Sequence, residues 1–152
     1  ILNNAKLKIN KNNFNFFKKK YLYPEPCMFG QIASKYINAA IDISDGFYGD
    51  LNKILNNKVG ARINIKNIPI NKTCKNIILK NKSAINISNI LNWGDDYQLL
   101  FTTNIKLKNI IIYLAKKNNV KLSNVGSVIK KKGIFDDSKN LIKNLSSFDH
   151  FC

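Results

Sequence analysis

Residues 39–51 read Ala39-Ala40-Ile41-Asp42-Ile43-Ser44-Asp45-Gly46-Phe47-Tyr48-Gly49-Asp50-Leu51. The stretch begins apolar and strand-like, then presents two carboxylates and a hydroxyl between Asp42 and Asp45. After Gly46 the pattern turns helical, with Phe47, Leu51, Ile54 and Leu55 on one face. In a strand Asp42 and Ser44 point to the same side, and Asp45 falls where the chain turns. Two close carboxylates repel unless a cation lies between them, and hard oxygen ligands on a short loop suit Mg²⁺. The N–H groups at a helix start beside them suit a phosphate. The same residues also read as a plain helix start, with Ser44 capping, Asp45 complementing the dipole and Gly46 relieving the turn.

Working outward, 152 residues suit one domain with a real core, and a hydrophobic fraction of 45% without a long apolar run argues against a membrane span. No signal peptide is visible. The chain starts at Ile1 rather than Met and is read as a fragment. A net charge of +16 invites a nucleic-acid reading, but the lysines are scattered and Arg62 is the only arginine. Sequence-specific surfaces favour clustered charge and bidentate arginine, so no specific nucleic-acid partner is expected. Cys27, Cys74 and Cys152 are widely spaced, which fits reduced thiols in a cytoplasm and neither a disulfide framework nor a zinc site. His150 is the only histidine, so no histidine-based metal site is expected.

Phe14, Phe17 and Tyr21 recur at helical spacing and predict a helix over 11–21 whose aromatic stripe joins the core. Pro26 suits the first turn of a helix running to Tyr36 or Ile37, with Met28, Ile32, Ala33 and Tyr36 on one face. A strand over Ala39–Ile43 and a helix from Phe47 to Asn56 follow. Ala61, Ile63 and Ile65 alternate as a strand, and Lys72–Leu79 and Ile87–Leu91 read as helices. Tyr97, Leu99 and Phe101 alternate as a strand, Leu107–Leu114 as an amphipathic helix ending near Asn118-Asn119. Val125–Ile129 reads as a strand, with Ile134-Phe135 as a short partner strand. The alternation predicts an α+β fold, a layered α/β/α sandwich with a mixed sheet.

The segment Asp42-Ile43-Ser44-Asp45-Gly46-Phe47 resembles the Asp-Ile-Ser-Asp-Gly-Leu signature of the thiamine-monophosphate kinase family. That family belongs with aminoimidazole ribonucleotide synthetase, selenophosphate synthetase and a hydrogenase-maturation protein. Three further matches fall in family order. Tyr23-Pro24-Glu25-Pro26 is similar to the Pro-x-Pro before the first helix of the family's C-terminal domain. Gly94-Asp95-Asp96-Tyr97-Gln98-Leu99-Leu100-Phe101 is similar to its Gly-Glu-Asp-Tyr-Glu-Leu-Leu-Phe. Phe148-Asp149-His150-Phe151 is similar to its closing aromatic-Asp-His-Phe. The match runs from about Tyr21 to the end and covers only the C-terminal half of the family enzyme.

The resemblance implies the same layered fold, with residues 1–20 as the end of a linker from a missing N-terminal ATP/Mg domain and 21–152 as the C-terminal domain. It implies a cytoplasmic kinase that transfers the ATP γ-phosphate to thiamine monophosphate, giving thiamine diphosphate. Asp42 and Asp45 would help hold Mg²⁺, Ser44 would bond the nucleotide, and Asp95 and Phe148 would meet the substrate. No nucleophilic catalytic side chain is implied, because positioning and charge neutralisation carry phosphoryl transfer. A full-length homodimer contacting mainly through the missing domain is implied, with this piece alone inactive. Asp95 stands where the family has Glu, Trp93 where it has glycine, Gln98 where it has a second Glu, and Cys27 where many relatives carry Arg. Gly94–Asp96 also reads as an acidic turn before a strand, and Phe148 as a buried aromatic anchor. Two other readings are a fragment of another ATP-using member of the superfamily and a standalone non-catalytic basic domain.

Overall fold

The computed structural model describes residues 7–25 and 27–143. Pro26 and the Phe148–Phe151 segment, including the Phe148 expectation, lie outside the described residues. Six helices are described: α1 (Lys11–Leu22), α2 (Phe29–Ala33), α3 (Phe47–Leu55), α4 (Lys72–Lys80), α5 (Ile87–Asn92) and α6 (Lys108–Lys117). Five strands join them: β1 (Ala39–Asp42), β2 (Gly60–Ile63), β3 (Leu99–Thr102), β4 (Gly126–Ile129) and β5 (Gly133–Phe135). Among the described residues no helix is long and apolar enough to cross a membrane.

The asparagine-rich composition has a structural use. Asn10, Asn71 and Asn86 cap α1, α4 and α5 by accepting a backbone N–H from two or three residues further on. A short polar side chain that can fold back on its own backbone is suited to that position.

The strands form two sheets. β1 and β3 pair antiparallel, with Ala39 opposite Thr102 and Asp42 opposite Leu99. The second sheet has order β4-β2-β5 and is mixed, since β2 runs antiparallel to β4 and parallel to β5. β5 follows β4 through a short turn, yet β2 lies between them.

The β1–β3 pair stands between two apolar clusters. Leu100 packs against the larger one, which holds Phe47, Tyr48, Leu51 and Leu55 of α3 with Ala61, Ile63 and Ile134 of the three-stranded sheet. Leu99 and Phe101 pack on the other side, against Phe29 and Ala33 of α2 and Ile111 and Ala115 of α6. Alternate strand residues face opposite ways, so β3 serves both cores, and all four of its residues are half-buried.

Several expectations change. α1 forms as predicted but buries none of its residues, and Phe14 and Tyr21 are exposed. The helix expected from Pro26 shrinks to α2 and a single 3-10 turn, Ser34–Tyr36. It buries Phe29 and Ala33, leaving Met28 and Ile32 in solvent. The β2 strand stops at Ile63, because Asn64 accepts the Lys66 N–H and starts a 3-10 turn at Ile65.

Candidate functional site

The site grows from the point where β1 ends. Asp42 is the last, exposed residue of β1. The chain then continues the antiparallel pairing for two more residues. The Ile43 N–H donates to the Gln98 carbonyl, and the Tyr97 N–H donates to the Ile43 carbonyl, each at 2.9 Å. The Asp95 N–H donates to the Ser44 carbonyl, also at 2.9 Å. These bonds lay residues 94–98 along residues 43–44, bringing Asp42, Ser44, Asp45 and Asp95 to one end of the β1–β3 pair.

Two glycines make this closeness possible. A Cβ on Gly94 would lie 1.8 Å from the Ser44 carbonyl oxygen, so no other residue fits while the strands stay paired. Gly46 has φ +104°, and a Cβ there would meet the Asn92 carbonyl at 2.7 Å. The end of α5 therefore sits directly against the turn. Trp93, the residue after α5, is half-buried and leads straight into Gly94.

Neither Ser44 nor Asp45 caps α3. Its N-cap is Gly46, without a side-chain hydrogen bond, and the first-turn carboxylate is Asp50. The cap read for Ser44 is therefore not formed, whereas Gly46 does relieve the turn with φ +104°. Asp50 is fully buried, and its Oδ2 accepts the backbone N–H of both Ser44 and Asp45 at 3.0 Å. Its Oδ1 accepts from Lys53 Nζ at 2.9 Å. The same ammonium also pairs with the Asp45 carboxylate. A buried carboxylate must be paired or hydrogen-bonded, and here two backbone donors and one ammonium meet that need.

The site therefore has a layer that sequence reasoning missed. Asp50 and Lys53 lie three residues apart on α3, on one face of the helix. The available signal was a carboxylate in the first helical turn followed by a lysine at that spacing. What the pattern could not reveal is that the carboxylate points back at the preceding turn and away from solvent.

The hydrogen bonds to Asp45 and then Asp50 push the Lys53 ammonium up to about 12. On the other strand, crowding of the Asp96 carboxyl by protein atoms and the neighbouring Asp95 charge push Asp96 up to about 6, although the residue as a whole is exposed. Asp95 and Tyr97 both hold positive φ, 64° and 50°, and the Tyr97 hydroxyl donates to Asp95 Oδ1 at 3.2 Å. Left-handed backbone at two non-glycine residues is costly and is concentrated at functional loops.

Among the described residues no three His, Cys, Asp or Glu side chains gather in a metal-binding group. Depressions of about 380 and 370 Å³ lie elsewhere, by α4 and α5 and between α1 and α4. Neither contains Asp42, Ser44, Asp45 or Asp95. The arrangement is thus an open polar ledge. It presents Asp42 and a cation-attracting Asp45, with Asp95 across the strand pair.

Comparison with known proteins gives a consistent set of likenesses. Residues 13–137 match the family described as AIR synthase related protein, C-terminal domain. Thiamine-monophosphate kinase of Buchnera aphidicola subsp. Acyrthosiphon pisum is 36% identical over 148 residues, covering 93% of this chain and 45% of that protein. Its counterpart in Buchnera aphidicola subsp. Schizaphis graminum is 41% identical over 149 residues, covering 90% and 43%. A solved structure of AaThiL complexed with AMPPCP and TMP superposes with a TM-score of 0.72 at 25% identity, covering 95% of this chain and 44% of that one. The chain therefore spans less than half the length of the relatives it matches.

Proposed function

This chain belongs to the family of the AIR synthase related protein C-terminal domain, and from that premise we propose that it is the C-terminal part of a thiamine-monophosphate kinase. The whole protein would transfer the ATP γ-phosphate to thiamine monophosphate, giving ADP and thiamine diphosphate. The observation that carries the proposal is the junction of the two signature segments. The Asp95 N–H bonds the Ser44 carbonyl, so the residues assigned to nucleotide and to substrate share one ledge. The ligands named for the AaThiL structure, AMPPCP and TMP, support ATP and thiamine monophosphate as the two substrates.

The carboxylates fit Mg²⁺ in kind. Asp42 and Asp45 offer hard oxygen donors, and Asp45 already attracts one cation, the Lys53 ammonium. Two carboxylates form an incomplete shell, which suits an ion that keeps waters and shares substrate phosphates. When bound, Mg²⁺ would neutralise phosphate charge during transfer. The chain's own residues do the positioning. Asp50 holds the Ser44-Asp45 backbone, Ser44 would bond the nucleotide, and Asp95 and Phe148 would be the residues that bind thiamine monophosphate. Asp is shorter than Glu by one methylene, so the reach of Asp95 would suit a water-mediated contact.

The rest of the site would belong to the N-terminal part of the longer protein, with residues 1–20 as the end of the linker from it. That full-length protein would be a cytoplasmic homodimer. The test is ATP-dependent formation of thiamine diphosphate by the full-length protein containing this chain. Asp45→Asn is expected to lower the rate by on the order of a hundredfold or more. Unchanged turnover in that variant, or no thiamine diphosphate from the unaltered protein, would overturn the proposal.

A further inference from the structure

Lys53 stands at the centre of the site, and neither of its roles is supplied by the signature residues. Its ammonium bridges Asp45, in the turn, and Asp50, buried beneath it. The two carboxylates are held differently. Asp50 is fully buried and accepts two backbone N–H bonds through Oδ2, on the oxygen that Lys53 does not touch. Asp45 is tied to the ammonium of a side chain that is 49% exposed. A half-exposed lysine can swing into water at little cost, because its stem is flexible and its head is readily hydrated.

We propose that Lys53 is a positioning residue, a tethered cation that holds the Asp45 carboxylate at the ledge and competes with a divalent metal ion for it. The inference rests on the reading of Asp45 as a metal ligand. Charge bookkeeping sets its direction. An ammonium and a divalent ion cannot occupy the same carboxylate oxygens, and the remaining positive charge repels the arriving ion. Removing the ammonium therefore tightens metal binding, and the turn survives because Asp50 holds its backbone independently. At water-like screening, one positive charge about 6 Å from a divalent ion changes affinity by about tenfold.

The experiment measures Mn²⁺ binding to the whole chain by the loss of the free-ion electron paramagnetic resonance signal. Lys53→Met, Lys53→Gln, Lys53→Arg and Asp45→Asn are compared with the unaltered chain. Lys53→Gln covers the case in which Met fails to fold over the buried Asp50. Lys53→Met or Lys53→Gln is expected to bind Mn²⁺ about tenfold more tightly, Lys53→Arg like the unaltered chain, and Asp45→Asn to lose the binding. A lysine that served only to neutralise Asp50 would lower stability in the neutral variants without tightening Mn²⁺. That result, with Asp45→Asn still abolishing binding, overturns the role of Lys53 alone. Binding that survives Asp45→Asn, or no binding in any variant, instead overturns Asp45 as a ligand and the inference with it.

Discussion

Two helices of this chain carry the same kind of pattern and meet opposite fates. α3 and α1 both show large apolar residues at helical spacing. α3 buries Phe47, Tyr48, Gly49, Asp50, Leu51 and Leu55, whereas α1 buries nothing. The difference lies in what faces each of them. α3 is delivered onto the three-stranded sheet by the turn after β1, and Ala61, Ile63 and Ile134 meet its stripe. α1 presents Phe14, Tyr21 and Leu22 with no comparable surface among the described residues. A hydrophobic stripe thus states that a face can be buried, and only a second surface makes it core. The burial of α3 also extends to a charge, because Asp50 goes under with its neighbours and is satisfied there.

The strongest way to break the contrast is to remove that charge. Asp50→Ala leaves the Ser44 and Asp45 N–H groups and the Lys53 ammonium without their shared acceptor. It should cost about 3 kcal/mol in urea unfolding. A loss under about 1 kcal/mol would mean that the turn does not depend on α3.

A smaller effect comes from the opposite side of the ledge. Asp96 holds its proton up to about 6 in the folded chain, against an ordinary carboxyl value of 3.8. The folded state therefore binds more protons between those values, and this group's stabilising contribution, full at low pH, fades as pH rises through 6. Asp96→Asn should make the chain more stable than its parent at pH 7, with the gain vanishing near pH 4. Because the residue is exposed, solvent screening keeps that gain to a fraction of about 1 kcal/mol. Thermal melts across this range would detect it, and an equal effect at both pH values would refute the assignment. The smallest change is expected on α1. Phe14→Ala should shift stability by less than about 0.5 kcal/mol, as for other surface positions. A loss like that of a core phenylalanine, about 3 kcal/mol, would show α1 to be packed after all.

Several features were legible because they are local. The bounds of α3 and β1 differ from their expected ones by one residue, since each is set by periodicity and punctuated by Gly46 and by Asn56, which adopts φ 49°. The amphipathic pattern of α6 likewise ends at Asn118, as read. The Asp42–Asp45 cluster was visible as a concentration of polar groups between two apolar segments. The strand expected to start at Tyr97 instead begins at Leu99, because Tyr97 turns left-handed to run back toward Ile43. Alternation alone could not reveal that bend.

By itself the sequence determined which segments are helix and which are strand over most of the chain, and which residues carry hard oxygen donors beside a glycine turn. Spacing and caps act over a few residues, so they can be read directly. Tertiary structure alone decided that β5 pairs parallel with β2, that α1 stays exposed, and that Gly94 closes on Ser44. It also decided that Asp50 turns inward to grip the Ser44-Asp45 backbone. Each of these depends on which surfaces meet across long stretches of chain, where the balance of burial and hydrogen-bond satisfaction has no local signature.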